Sequence, residues 1–281
     1  MTTRFAPSPT GLLHLGHAYA AMTAWREAQA AGGRFLVRLE DIDTGRCRPE
    51  FESAVLDDLC WLGLAWEEPV WRQSLRLDAH AQALDRLEQL GLLYPCFCTR
   101  QEIATAASAP QGGGLEGLLY PGTCRRLSAG QRQECLAAGR PCAWRLDVAK
   151  AAAMAGPLSW WDKLRGEFPA HPELLGDAVL ARKEMRTSYH LAVTVDDAAQ
   201  EVTLVTRGED LLVSTHLHRL LQALLGLPVP HWKHHALVGD AHGRRLSKRD
   251  QARSLRSFRE AGVSATEVVR LAEQSLLTSG G

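Results

Sequence analysis

The chain has 281 residues, 46% of them hydrophobic and 23% charged, and Lys+Arg balance Asp+Glu at 32 each for a net charge of zero. This composition belongs to a globular protein with a sizeable core, and it excludes a disordered chain and a protein that grips nucleic acid through a global basic field. No apolar run reaches membrane-spanning length and no secretory pattern opens the chain, so the reading is a cytoplasmic protein without membrane contact.

The first stretch, RFAPSPTG, reads as a short strand running into a turn rich in Pro and Gly. HAYAAMTAWREAQA follows as a helix that stops at Gly32-Gly33. Strand, tight turn and helix N-terminus form a phosphate-binding geometry, because the first helical N–H groups lack partners. His14, Gly16 and His17 stand at that handover. Gly16 lets a ring or phosphate approach the backbone, and two imidazoles can donate to developing phosphate charge. On these letters alone, two ordinary polar residues at a helix start are the plainer reading.

RFLVRLEDID alternates Phe35, Val37 and Leu39 as a strand does, and ends in Glu40, Asp41 and Asp43. PEFESAVLDDLCWLGL and then SLRLDAHAQALDRLEQLG read as helices, the second capped by Ser74 and stopped at Gly91. Strands alternating with helices over short connections predict a parallel sheet covered by helices. Ligands of such sheets bind beyond the C-terminal ends of the strands, where the histidine turn and the Glu40 cluster both fall.

The pattern breaks from Cys96 to about Arg140, which carries the Pro/Gly stretch APQGGGLEG and reads as an inserted module. AWRLDV, SYHLAVTVDD and EVTLVTRGED then read as strands with period-two alternation, followed by the helix DLLVSTHLHRLLQALLG up to Gly226 and a last helix around TEVVRLAEQSLL. The expected organisation is a first half of a nucleotide-binding domain at 1–94, the module at 95–142, the second half at 143–238, and a loop with a C-terminal helical segment at 239–281. In a reducing compartment the seven cysteines read as thiols or metal ligands. His231, His234 and His235 are spaced irregularly for a metal site, and His216 and His218 face different ways on one helix.

GRRLSKRD sets Ser247 and Lys248 in a small basic loop, which suits a triphosphate; alone, a solvated basic loop is the stronger reading. An HxGH turn with a distant LSK loop, 231 residues apart between His17 and Lys248, resembles the paired HIGH and KMSKS signatures of class I aminoacyl-tRNA synthetases. RFAPSPTGLLHLGH, RLEDIDTGR, SYHLAVTVDD and TRGEDLL resemble the glutamyl branch of that class, from about Arg4 to about Asp250. The resemblance implies a Rossmann-like α/β catalytic domain with an inserted zinc-binding module and a short helical C-terminal segment.

It also implies roles. Arg4, Glu40, Tyr189 and Arg207 would answer the charges of glutamate, with Phe5, Ala6, Pro7 and Ser8 lining the same pocket. A salt bridge from Arg207 to Glu209 or Asp210, and a core ring in a strand for Tyr189, are the plainer alternatives. His14, Gly16 and His17 would hold ATP together with Ser247 and Lys248, and the catalytic set would be His14, His17 and Lys248, with Mg²⁺ accompanying the nucleotide. The loop departs from KMSKS at Arg245 and Arg249 but keeps Ser247 and Lys248. CFC at Cys96 and Cys98, with Tyr120 and Cys124 of YPGTC, resembles the family's zinc segment and implies one structural zinc per chain. Tyr120 is the implied fourth ligand, with Cys135, Cys142 or a water as alternatives.

Only 32 residues follow Arg249, short of an anticodon-binding domain. In this the chain resembles a shortened paralogue group, the glutamyl-Q tRNA(Asp) synthetases. That resemblance implies a monomeric ligase that uses L-glutamate and ATP without tRNA for activation, then esterifies queuosine in the anticodon of tRNA(Asp). The basic run from Arg244 to Arg259 would meet tRNA phosphates, or be a solvated helix face. The competing functions are charging of a tRNA 3′ end and another HxGH nucleotidylyltransferase.

Overall fold

The computed structural model describes residues 1–99, 101–103, 113–114, 117–183, 185, 187–239 and 253–277. Strand β1 (Thr2–Phe5) leads through the Pro/Gly turn to helix α1 (Leu15–Ala30), and β2 (Arg34–Leu39), α2 (Pro49–Trp61) and β3 (Glu67–Arg72) follow. The strands pair in parallel in the order β1-β2-β3. In β2 the last five residues are all buried, as expected of a central strand covered on both faces, and this carries Arg38 into the interior.

Helix α3 (Leu77–Gln89) begins one short turn later than the sequence suggested. Ser74 does not cap it; its N–H and hydroxyl bond instead to the Asp41 carboxylate, at 2.8 and 2.5 Å. Beyond it, β4 (Leu93–Cys96) enters the inserted region, with a two-residue hairpin, β5 (Gly113–Gly114) and β6 (Gly117–Leu118), and helix α4 (Ala129–Ala137). Strand β7 (Ala143–Leu146) then returns antiparallel to β4.

After α5 (Val148–Ala155) come the hairpin β8 (Ser159–Asp162) and β9 (Gly166–Pro169), then β10 (Val179–Ala181) beside β7. The segment SYHLAVTVDD is not a strand but the helix α6 (Tyr189–Ala199). Leu191, Ala192, Val193, Thr194, Asp196 and Asp197 are all buried, so the helix shows no polar face and its β-branched alternation imitates a strand. Strand β11 (Leu204–Gly208) and helix α7 (Leu212–Leu225) follow the sequence reading, with Gly226 ending α7 in the left-handed conformation, and strand β12 (His231–His235) comes next.

Strands β11, β12 and β8 are parallel neighbours. The Thr203 N–H donates to the Thr2 carbonyl at 3.0 Å and the Thr2 N–H to the Thr203 hydroxyl at 2.8 Å, so β11 lies beside β1. The two halves therefore run outward from a shared middle, as in a Rossmann-like sheet, and the crevice where strand order reverses is a ligand site by topology. Helices α8 (Leu255–Glu260) and α9 (Ala265–Gln274) add Leu255, Phe258 and Val268 to the core under α1 and α2. Among the described residues no helix is long and apolar enough to cross a membrane.

Candidate active site

After β1 the chain turns through Ala6, Pro7 and Ser8, and the Glu40 N–H donates to the Pro7 carbonyl at 3.0 Å, tying this turn to the end of β2. Between that turn, the start of α1 and the end of β11 lies a cavity of about 580 Å³. The first segment gives it Arg4, Phe5, Ala6, Pro7 and Ser8, and α1 gives His14, Gly16 and His17. Glu40, Tyr189 and Arg207 border it from β2, α6 and β11. Tyr189 is the first residue of a helix, not a strand ring. Ser247 and Lys248 lie outside the described residues. The segments on either side of them reach the same place. Val238 borders the cavity, Ser254 pairs with His14, and the Leu255 N–H donates to the Leu13 carbonyl at 2.8 Å.

The two histidines have a structural reason for their spacing. His14 caps α1, its Nδ1 accepting the Gly16 N–H at 3.1 Å, while His17 Nδ1 accepts the His14 N–H at 3.2 Å. This is a capping box made of imidazoles. With Nδ1 accepting on both rings, the proton of each neutral ring sits on Nε2, the form in which it donates to an anion. A Cβ at Gly16 would stand 3.0 Å from the His14 ring and would push that capping ring aside by a few tenths of an ångström. The cap thus leaves a helix N-terminus facing the cavity with two orientated imidazoles beside it.

A buried charge cluster underlies the opposite wall. Arg4 sets Nε and Nη2 on Asp197 at 2.9 and 3.3 Å and Nη1 on the Thr206 carbonyl at 3.1 Å. Arg38 donates to Asp197 and to Gln200, both at 2.8 Å, and to Glu40 at 3.2 Å. Burial alone would raise the Asp197 carboxyl, but the Arg4 and Arg38 guanidiniums overcome it and hold it below the usual range. Glu40 goes the other way, since burial pushes it up against the pull of Arg38 and Arg4. Arg38, Asp197 and Gln200 were not identified as site residues from sequence; only the burial of Arg38 in a two-faced strand could have signalled them.

Arg207 bonds neither to Glu209 nor to Asp210 in its described contacts. Its Nε donates to His234 Nε2 at 3.2 Å, Nη1 to His218 Nδ1 at 3.2 Å and Nη2 to the Thr215 hydroxyl at 2.6 Å. Glu209 pairs with Arg165 at 2.8 Å. Burial pulls the Arg207 guanidinium below its ordinary value, and the Tyr189 phenol is a hydrogen-bond neighbour. His216 indeed faces elsewhere than His218, accepting from the Trp160 ring and the His171 N–H, both at 3.1 Å.

In the inserted region the sulfurs of Cys96, Cys98 and Cys124 lie within 4.8 Å of one another. The Tyr120 hydroxyl stands 3.7 Å from the Cys98 sulfur and accepts the Cys124 N–H at 2.8 Å. Cys135 and Cys142 pack around this cluster without joining the three convergent sulfurs. Three thiolates with a phenol oxygen alongside are a donor set that fits a tetrahedral metal ion.

Comparison with known proteins agrees with this geometry. Residues 1–275 match the family described as tRNA synthetases class I (E and Q), catalytic domain. A glutamyl-Q tRNA(Asp) synthetase of Rhodobacter capsulatus is 52% identical over 278 residues, covering 96% of this chain and 99% of that relative. One from Nocardia farcinica is 45% identical, covering 97% and 84%. The crystal structure of a glutamate tRNA ligase from Elizabethkingia meningosepticum, in complex with its amino acid, is 29% identical with a TM-score of 0.73; the match covers 89% of this chain and 52% of the ligase, so the chain spans about half of that enzyme.

Proposed function

The chain belongs to the class I tRNA synthetases of the glutamyl and glutaminyl branch, and from that premise we propose that it activates glutamate with ATP and transfers it to queuosine in the anticodon of tRNA(Asp). The observation that carries the first half is one cavity in which a buried arginine held by uncharged groups, Arg207, faces a helix start capped by two imidazoles. An amino acid with two carboxylates and a triphosphate are what such a pair of walls would take. The relatives' shared name, over nearly the whole length of the Rhodobacter protein, supports the second half.

Glutamate enters with its side-chain carboxylate on Arg207 and its ammonium beside Glu40, whose raised carboxyl is brought down by that cation. An oxygen of the α-carboxylate attacks the α-phosphorus of ATP, the bond from phosphorus to the bridging oxygen breaks, and pyrophosphate leaves. His14 and His17 donate to the phosphates from Nε2, and Lys248 follows the leaving charge. Bound with the nucleotide, magnesium would offset phosphate charge, with few protein ligands of its own. A hydroxyl of the cyclopentenediol of queuosine then attacks the carbonyl carbon of the mixed anhydride. An ester forms, AMP departs, and the hydroxyl proton passes to the departing phosphate.

Zinc held by Cys96, Cys98, Cys124 and Tyr120 would brace the inserted region, whose own core is small. An enzyme that acts on tRNA would work in the cytoplasm, and its resemblance to the shortened paralogues would make it a monomer. Pyrophosphate exchange with glutamate and ATP, in the absence of tRNA, tests the activation step. Exchange with glutamate and little with glutamine supports the reading; strict dependence on tRNA contradicts it.

A further inference from the structure

Two buried arginines beside the cavity, Arg4 and Arg38, are neutralised by Asp197 and Glu40. Arg207 is held differently. Its hydrogen-bond partners are His234, His218 and Thr215, with the Tyr189 phenol beside them, and none of these is a carboxylate. A guanidinium has five N–H groups; the contacts to the two rings and the hydroxyl engage three, and the other two, which the Tyr189 phenol also neighbours, sit on Nη1 and Nη2. That is the pair with which an arginine takes a carboxylate bidentately.

The acceptors are themselves orientated from behind. Asp162, at the end of β8, is fully buried, and its Oδ2 accepts both the His234 backbone N–H at 3.0 Å and its Nδ1–H at 2.7 Å. Its Oδ1 accepts the N–H groups of Leu164 and Arg165 at 2.8 and 3.1 Å, so the carboxylate cannot turn. With its proton on Nδ1, His234 presents the Nε2 lone pair to Arg207, and Thr215 meets the same nitrogen at 3.0 Å. His218 accepts from Arg207 on Nδ1, which leaves its Nε2–H to donate to His190 Nδ1 at 3.1 Å. Burial pulls His234 and His190 down to about 4, so these rings stay uncharged beside the arginine.

We infer that Asp162, His234 and His218 are positioning residues that fix the plane of the Arg207 guanidinium without cancelling its charge, and so set the preference of the cavity for a side-chain carboxylate over an amide. A carboxylate in place of either ring would hold the arginine equally well and neutralise it; an imidazole holds it and leaves the charge to the ligand. The inference rests on the cavity being a glutamate site.

The test is pyrophosphate exchange with the full chain, reading KM for glutamate, KM for ATP, kcat, and the kcat/KM ratio of glutamate to glutamine. His234→Asn keeps an amide N–H near Nδ1 for Asp162 but deletes the acceptor facing Arg207. Losing one hydrogen bond to a charged group should raise KM for glutamate about tenfold and lower the glutamate preference by a similar factor. KM for ATP and kcat should change little. His234→Gln, which returns an acceptor near the Nε2 position, should recover most of the loss, and His218→Gln should shift the same two quantities. Equal deterioration of the ATP and glutamate parameters, or a wild-type glutamate preference in His234→Asn, would overturn the inference. Arg207→Gln separates the two levels. If it leaves KM for glutamate unchanged, the glutamate reading of the cavity fails; if it acts and His234→Asn does not, only the positioning role fails.

Discussion

Replacing Asp197 with Asn should destabilise the protein more than any exposed substitution, because three guanidinium contacts converge on this one carboxylate. Arg4 reaches it at 2.9 and 3.3 Å and Arg38 at 2.8 Å, and the side chains of Arg4, Arg38 and Asp197 are only 5%, 0% and 9% exposed. Asn keeps one acceptor and loses the charge, which leaves two buried cations with Glu40 and the more distant Asp196 as the neighbouring anions. Breaking a buried ion pair from one side costs about 3–5 kcal/mol. In a protein of this size that corresponds to a fall in Tm of roughly 6–20 °C. Calorimetry or circular dichroism melting at neutral pH measures it. Arg4 would also lose the partner that holds it at the cavity wall, so KM for glutamate should rise at temperatures where the variant is folded. A Tm within about 2 °C of wild type, well below the fall expected from that loss, would show that Asp197 does not neutralise the arginines, and the electrostatic description of this wall would be wrong.

Lys248→Ala should lower kcat for pyrophosphate exchange far more than it raises KM for glutamate, since the lysine acts on phosphate charge; equal losses in both would refute that role. Elemental analysis should find about one zinc per chain, and Cys98→Ser should lower that content and impair transfer to RNA more than glutamate activation; metal-free protein purified without chelator would remove the claim. Asp58 is buried, with no hydrogen-bond partner for either oxygen among the described residues and Arg259 3.9 Å away, and burial pushes it up to about 6. Because the fold favours its protonated form, the stability it contributes is present below about pH 4 and is lost as pH rises through about 6. Asp58→Asn should therefore raise Tm at pH 7.5, by an equivalent of at most about 3 kcal/mol, and change little at pH 4. A variant no more stable than wild type at pH 7.5 would refute this.

The cavity's first wall was legible because its signal is local. His14, Gly16 and His17 stand where a strand passes to a helix, and Glu40 directly follows the strand Arg34–Leu39, so both are placed by their immediate neighbours. The capping box was not legible, since the direction of each imidazole depends on backbone geometry that letters do not carry. The second wall was hidden for a different reason. Asp197 and Arg38 meet across 159 positions, and the helix that carries Asp197 buries six of its eleven residues, both aspartates among them, which erased the exposed polar stripe that marks a helix. Ser74 shows the same limit on a smaller scale. It has the right type and place for a cap, but the Asp41 carboxylate, 33 positions away, claims its hydroxyl. His234 read only as one of three irregularly spaced histidines, and it is the buried Asp162 behind it that gives it a task.

The central claim is the acceptor, and it is tested most directly by locating transferred glutamate. Labelled glutamate and ATP are supplied with queuosine-containing tRNA(Asp), the RNA is digested, and the labelled nucleoside is identified. Label is expected on queuosine from the anticodon, lost when the vicinal diol is first cleaved with periodate, and absent when guanosine occupies that position. Label on the terminal adenosine would contradict the account.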